Sequence, residues 1–94
     1  MTTKKIQIKF PVQIAKFINN IKEVEFEGES IIDLLNHLEN TYGNVLERLL
    51  DENNEVRPYF NLYLGENNIN TLNGLSTKVV QNDKISLLLS RAGG

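Results

Sequence analysis

From Lys5 to Phe10 the chain alternates: Ile6, Ile8 and Phe10 are apolar, and Lys5, Gln7 and Lys9 are polar. A period of two puts the apolar set on one face of a strand. Pro11 has no N–H to donate, so the strand ends near it. Asn19-Asn20 predicts a turn, because Asn tolerates left-handed backbone better than most residues. Val24 and Phe26 then alternate with Glu23, Glu25 and Glu27. The two segments read as an antiparallel hairpin.

The period then changes to that of a helix. Ile31, Leu34, Leu35, Leu38 and Tyr42 fall on one stripe. Ser30 stands before it to cap the first N–H groups, with Asp33 three residues later as its capping-box partner and a favourable charge at the positive helix end. Gly43 is a stop. Val45, Leu46, Leu49 and Leu50 predict one or two further helical turns, and 51–55 (Asp-Glu-Asn-Asn-Glu) a polar loop.

After Pro58 a strand is predicted over Tyr59–Leu64, with Phe60, Leu62 and Leu64 on one face. Gly65-Glu66-Asn67-Asn68 is turn chemistry, and Ile69–Gly74 is expected to hold a short strand and a turn. Asn82-Asp83 makes another turn before a last strand whose Ile85, Leu87 and Leu89 point one way. Leu87-Leu88-Leu89 is apolar on both faces, as in a central strand. Leu89 reads as the last core residue. Nothing large follows it, so 90–94 (Ser-Arg-Ala-Gly-Gly) is expected to be a mobile tail on a single domain spanning 1–94. Pattern alone gives an α+β fold.

Composition narrows the chemistry. Ninety-four residues make one domain with little interior for a deep catalytic pocket. Ten Lys+Arg against twelve Asp+Glu leave a net charge of -2, which argues against a nucleic-acid surface. There is no cysteine, hence no disulfide, thiolate metal site or cysteine nucleophile. Met1-Thr2-Thr3-Lys4-Lys5 leads into a strand rather than a signal peptide, and no apolar run is long enough for a membrane helix, so a cytoplasmic protein is expected. No phosphate loop, triad or metal cluster is visible. His37, the one histidine, is expected on the polar side of the helix, in solvent. Glu23, Glu25, Glu27 and Glu29 form an acidic row, expected to be solvated along a strand face.

Three stretches carry a resemblance: Arg57-Pro58-Tyr59-Phe60-Asn61-Leu62-Tyr63-Leu64-Gly65-Glu66; Asn73-Gly74-Leu75-Ser76-Thr77-Lys78-Val79 with Asn82-Asp83-Lys84-Ile85; and the final Ala92-Gly93-Gly94. From Ile6 to Gly94 the chain resembles the MoaD/ThiS family of ubiquitin-like sulfur carriers. Asn82 and Asn19-Asn20 stand where that family commonly has Gly, and Ser90-Arg91 replaces more apolar residues before the terminal glycines. The resemblance implies a β-grasp fold: a mixed four- to five-stranded sheet with one main helix on one face.

It also implies a chemistry that runs through the terminus. In the family, a ubiquitin-activating-type enzyme uses ATP and Mg²⁺ to adenylate the last carboxylate. Sulfide from a donor displaces AMP, and the resulting thiocarboxylate delivers sulfur to a third enzyme. Carried onto this chain, Gly94 is the reacting residue, and Arg91, Ala92 and Gly93 enter the partner's active site. Glycine, without a Cβ, lets the walls of a narrow channel approach the backbone. Because ordering a tail costs free energy, the folded body must add affinity. Tyr63 and Leu88 are the candidate contacts, placed by alternation on the sheet face away from the helix. The chain itself is expected to be a protein co-substrate, with no catalytic residue and no cofactor of its own. The sulfur acceptor is a molybdopterin synthase large subunit or a cysteine synthase-like enzyme. Two other functions remain open: a modifier conjugated to lysines through Gly94, and a binding module that does not use its terminus.

Overall fold

The computed structural model describes residues 3–90. β1 (Lys4–Lys9) pairs antiparallel with β2 (Glu23–Phe26), with Ile6 opposite Val24. β5 (Lys84–Leu89) lies parallel to β1 on its other side, with Ile8 beside Ile85. β3 (Phe60–Leu64) pairs antiparallel with β5, and the two-residue β4 (Asn67–Asn68) closes the edge in the order β2-β1-β5-β3-β4. The last strand is thus central, as its two-sided apolar character predicts.

Helix α2 (Ile31–Tyr42) covers one face of this sheet. Its Ile31, Leu34, Leu35 and Leu38 are buried with Ile6, Ile8, Phe26, Leu62, Ile85 and Leu87 in one core. A single helix across a mixed sheet is the β-grasp arrangement. The helix starts where the sequence places it. Ser30 Oγ accepts from the Asp33 N–H at 3.4 Å, and Asp33 Oδ2 accepts from the N–H groups of Ser30 at 3.2 Å and Glu29 at 2.9 Å. Gly43, at φ 80°, ends it. The short helix α3 (Leu46–Leu49) follows.

Two segments differ from the sequence expectation. The β1–β2 connection is not a simple turn: it holds a short helix α1 (Val12–Ala15) and a 3₁₀ turn (Lys16–Ile18) before Asn19 and Asn20, both left-handed. Ile14 and Ile18, four apart on this helical stretch, are buried and anchor it to the core. The strand expected within Ile69–Gly74 lies earlier, at Asn67–Asn68, because Gly65 at φ 61° turns the chain back at once. Ile69–Thr71 and Gly74–Ser76 are 3₁₀ turns.

The stretch Gly74-Leu75-Ser76-Thr77 fastens this region to the helix. Gly74 takes a left-handed φ of 58°. The buried Thr77 hydroxyl accepts from the Asn73 N–H at 3.0 Å, and the Thr77 carbonyl accepts from the Ile31 N–H at 3.0 Å. That last bond satisfies one of the free N–H groups that every helix start presents.

Candidate functional site

β1 and β5 run parallel, so they end side by side: Lys9 lies beside Ser86, and the chains continue into Pro11-Val12 and Leu88-Leu89. β3 starts at the same end, with Phe60 opposite Leu89. Ser90 is the last described residue, and its N–H donates to the Tyr59 carbonyl at 2.7 Å. The expected tail residues Arg91, Ala92, Gly93 and Gly94 lie outside the described residues. What the structure does give is the surface from which they depart.

That surface is apolar. Val12 is 68% exposed, Tyr59 50%, Leu89 49% and Leu88 44%. The other large hydrophobics exposed among the described residues, Leu72 and Val80, lie elsewhere on the chain. Scattered exposed apolar side chains are ordinary, but a group gathered at one end of a small domain marks an interaction surface. The four side chains stand around the exit of β5 as a broken collar: Tyr59 and Leu89 share a hollow, Leu88 is on the outer sheet face, and Val12 lines a separate groove.

Tyr63 and Leu88 sit on the outer sheet face, as alternation predicts. Leu88 lies opposite Asn61, and Tyr63 opposite Ser86, so the two are diagonal neighbours. Such positions are about 7–8 Å apart at Cα, within reach of long side chains. Tyr63 is half-buried, and Leu88 offers the larger free surface.

Leu89 corrects the sequence expectation. It shares its direction with the buried Ile85 and Leu87, but at the end of β5 it lines a shallow hollow with Gln13, Ile14, Arg48, Arg57 and Tyr59 instead of closing the core. The hydrophobic pattern alone does not mark Val12 or Tyr59 as surface residues either. The signal for Val12 is the helical spacing of Ile14 and Ile18, which turns Val12 outward once the segment is read as a helix.

The hollow's wall carries two arginines, Arg48 and Arg57, and one carboxylate, the exposed Glu47. The Arg48 guanidinium stacks 3.8 Å from the centre of the Phe17 ring, and Arg57 Nη2 donates to the Glu47 carbonyl at 2.9 Å. These contacts hold both groups in place beside Leu89.

The remaining titratable groups have structural explanations. His37 is not free in solvent: it is half-buried, with its ring centre 6.3 Å from that of Phe26. Glu23, Glu25, Glu27 and Glu29 are exposed along and just beyond edge strand β2, where charge discourages edge-to-edge pairing. Glu23 meets Lys5 at 3.8 Å in a solvent-screened pair. Among the described residues no cluster of His, Asp or Glu could hold a metal ion, and no helix is long and apolar enough to cross a membrane.

A putative sulfur carrier protein of Archaeoglobus fulgidus is 26% identical to this chain over 89 residues, spanning 95% of it and 98% of that protein. The sulfur carrier protein CysO of Mycobacterium tuberculosis is 23% identical over 91 residues, with the same shares covered. The likeness is to sulfur carriers. Both relatives are named as sulfur carriers, not as catalysts. No protein-family model matches the chain. Among solved structures, a chain of the Amycolatopsis orientalis BexX/CysO complex superposes with a TM-score of 0.80 at 21% identity, covering 95% of this chain and 99% of that one. Small archaeal modifier protein 1 of Methanosarcina acetivorans gives 0.75 at 23% identity, with 100% of each chain covered. The superpositions establish the β-grasp fold.

Proposed function

We propose that this protein is a sulfur carrier that works through Gly94. A ubiquitin-activating-type enzyme supplies ATP and Mg²⁺. A Gly94 carboxylate oxygen attacks the α-phosphate, pyrophosphate leaves, and an acyl-adenylate forms. Sulfide from a donor then attacks the carbonyl carbon, the C–O bond breaks, and AMP departs with its electron pair. The product is a thiocarboxylate, a better nucleophile than the carboxylate. It passes sulfur to an accepting synthase of the cysteine-forming or molybdopterin-forming kind. A cytoplasmic setting, where ATP is at hand, fits this sequence.

The observation that carries this reading is the apolar collar of Val12, Tyr59, Leu88 and Leu89 around the exit of β5, in a chain that matches sulfur carriers over 95% of its length. A tail ordered by a partner's channel adds little net affinity, so a carrier needs a docking surface at the tail's root. Arg48 and Arg57 beside it outnumber the one carboxylate there, Glu47, and favour an acidic rim on the partner. The test is to incubate the full chain with an activating enzyme, ATP, Mg²⁺ and a sulfide source, and to measure intact mass. An oxygen-to-sulfur increase that is lost on deleting Gly94 is expected. No change, with an enzyme that thiolates another carrier under the same conditions, rejects the proposal.

The likeness to a small archaeal modifier protein favours a second reading, in which a lysine amine attacks the adenylate in place of sulfide. It predicts conjugates whose lysines carry a Gly-Gly remnant after proteolysis.

A further inference from the structure

A second surface is lined by residues distinct from those of the Arg48–Arg57 hollow. Phe10, Val12, Ala15 and Ile21 line a groove along β1, between the sheet's outer face and the α1 connection. Val12 is mostly exposed there, and Phe10 and Ile21 are half-buried against the core. The wall is rigidly placed: the Ile8 N–H donates to the Lys22 carbonyl at 2.9 Å, and Gln7 pairs with Lys84 across β1 and β5.

The groove's charge is predominantly positive. Lys9, Lys22 and Lys84 line it and are exposed. Its one carboxylate, Glu23, meets Lys5 at 3.8 Å, the sole salt bridge among the described residues, so it pairs with none of the three lysines. Three lysines without an acidic partner therefore surround an apolar trough in a chain whose overall net charge is -2. The basic character is local to this site, not a property of the whole surface.

We propose that this groove docks an acidic peptide segment of a partner protein, seating one apolar side chain among Phe10, Val12, Ala15 and Ile21 while flanking carboxylates meet Lys9, Lys22 and Lys84. The apolar anchor supplies most of the affinity, and the lysines fix orientation and speed association. A nucleic-acid strand fits less well, since the floor offers aliphatic side chains and one half-buried Phe, not a row of stacking platforms. The proposal stands on the groove alone and does not need Gly94 to carry sulfur.

The experiment titrates the full ¹⁵N-labelled chain with a short synthetic peptide of aspartates and glutamates around one central leucine. Amide shifts are expected at Phe10, Val12, Ala15, Ile21 and Lys84, with weak affinity that falls as salt rises from ~0.05 to ~0.5 M. Replacing the leucine of the peptide by serine should weaken binding about tenfold or more, the effect of failing to bury one leucine side chain. The double variant K22E/K84E, which changes two exposed side chains and whose spectrum reports its own folding, should weaken it at least as much. Absence of shifts in the groove overturns the proposal. So does equal binding by the serine peptide, by a peptide of lysines around leucine, or by oligothymidylate. Shifts confined to Tyr59 and Leu89 place the acidic partner on the hollow instead and also overturn it. Thiolation of Gly94 is measured separately, so either proposal can fail without the other.

Discussion

Gly28 has no room for a methyl group. A Cβ built there would lie 2.7 Å from Asp33 Cβ and 2.9 Å from the Phe26 ring. Both neighbours are fixed, one by the helix cap and the other by the core, so neither can yield cheaply. Gly28→Ala should lower stability by about 1–3 kcal/mol, the usual cost of overpacking. Urea unfolding measures this, and an unchanged midpoint would show that the cap shifts freely. Asn82 makes a different demand. Its φ is 73°, left-handed backbone that crowds any Cβ against the following carbonyl oxygen, a strain absent in Gly and offset in Asn by its short polar side chain. Asn82→Ala should cost about 1 kcal/mol, and Asn82→Gly roughly nothing; equal losses in both would mean that the side chain, not the backbone angle, matters. The roles of Asn19, Asn20 and Asn82 are legible in the sequence because positive φ is a local property of residue type. The role of Gly28 is not, because its crowding comes from residues that only the fold brings close.

At the scale of elements, two carboxylates hold the helices in place. Asp33 caps α2, and Glu39 Oε1, near the other end of α2, accepts from the N–H groups of Val45 and Leu46, each at 2.9 Å, to cap α3. Hydrogen bonds from the Glu29 and Ser30 N–H groups hold the Asp33 carboxyl below its ordinary pKa, and those from Leu46 and Val45 do the same for Glu39. A carboxylate whose folded pKa is depressed adds stability that is fully present above its unfolded value and is withdrawn as pH falls through the folded one. Stability in urea should therefore hold from about pH 7 to 5 and decline below about pH 4.5. The variant D33N/E39Q should be less stable at neutral pH and show a shallower acid decline. An acid limb as steep as the wild type's would mean that other carboxylates carry it. Ser30 and Asp33 are readable in advance, since a capping box has fixed spacing. The reach of Glu39 is not, because it crosses the break at Gly43-Asn44, where helical spacing no longer relates residues. Helix α1 escapes for a similar reason: the i, i+4 pair Ile14 and Ile18 is its one sequence signal, too short a run to fix a period until their burial is seen.

Across the whole molecule, the core and the proposed docking surface occupy different residues. The core is sealed by α2 on one sheet face, while Val12, Tyr59, Leu88 and Leu89 stay exposed where β5 leaves the sheet. Strand order makes this possible: with β5 between β1 and β3, the chain leaves the sheet centrally, and α1 and the start of β3 flank its exit. Sequence periodicity finds Leu88 and Tyr63, because alternation assigns faces. It misplaces Leu89, because alternation says nothing about where the covering helix ends. The division predicts separable defects. Leu88→Asp changes an exposed side chain and should alter stability by no more than about 0.5 kcal/mol. As an anchor of the collar it should nevertheless lower kcat/KM for thiolation about tenfold or more, chiefly through KM, because docking precedes the chemistry. Gly94→Ala should do the reverse, leaving KM near its wild-type value and reducing kcat, since the added methyl group crowds the carbon under attack. Steady-state thiolation with the activating enzyme as catalyst and the carrier as varied substrate separates the two. If Leu88→Asp and Gly94→Ala both act on kcat alone, the collar is not a docking surface, and the tail by itself supplies recognition.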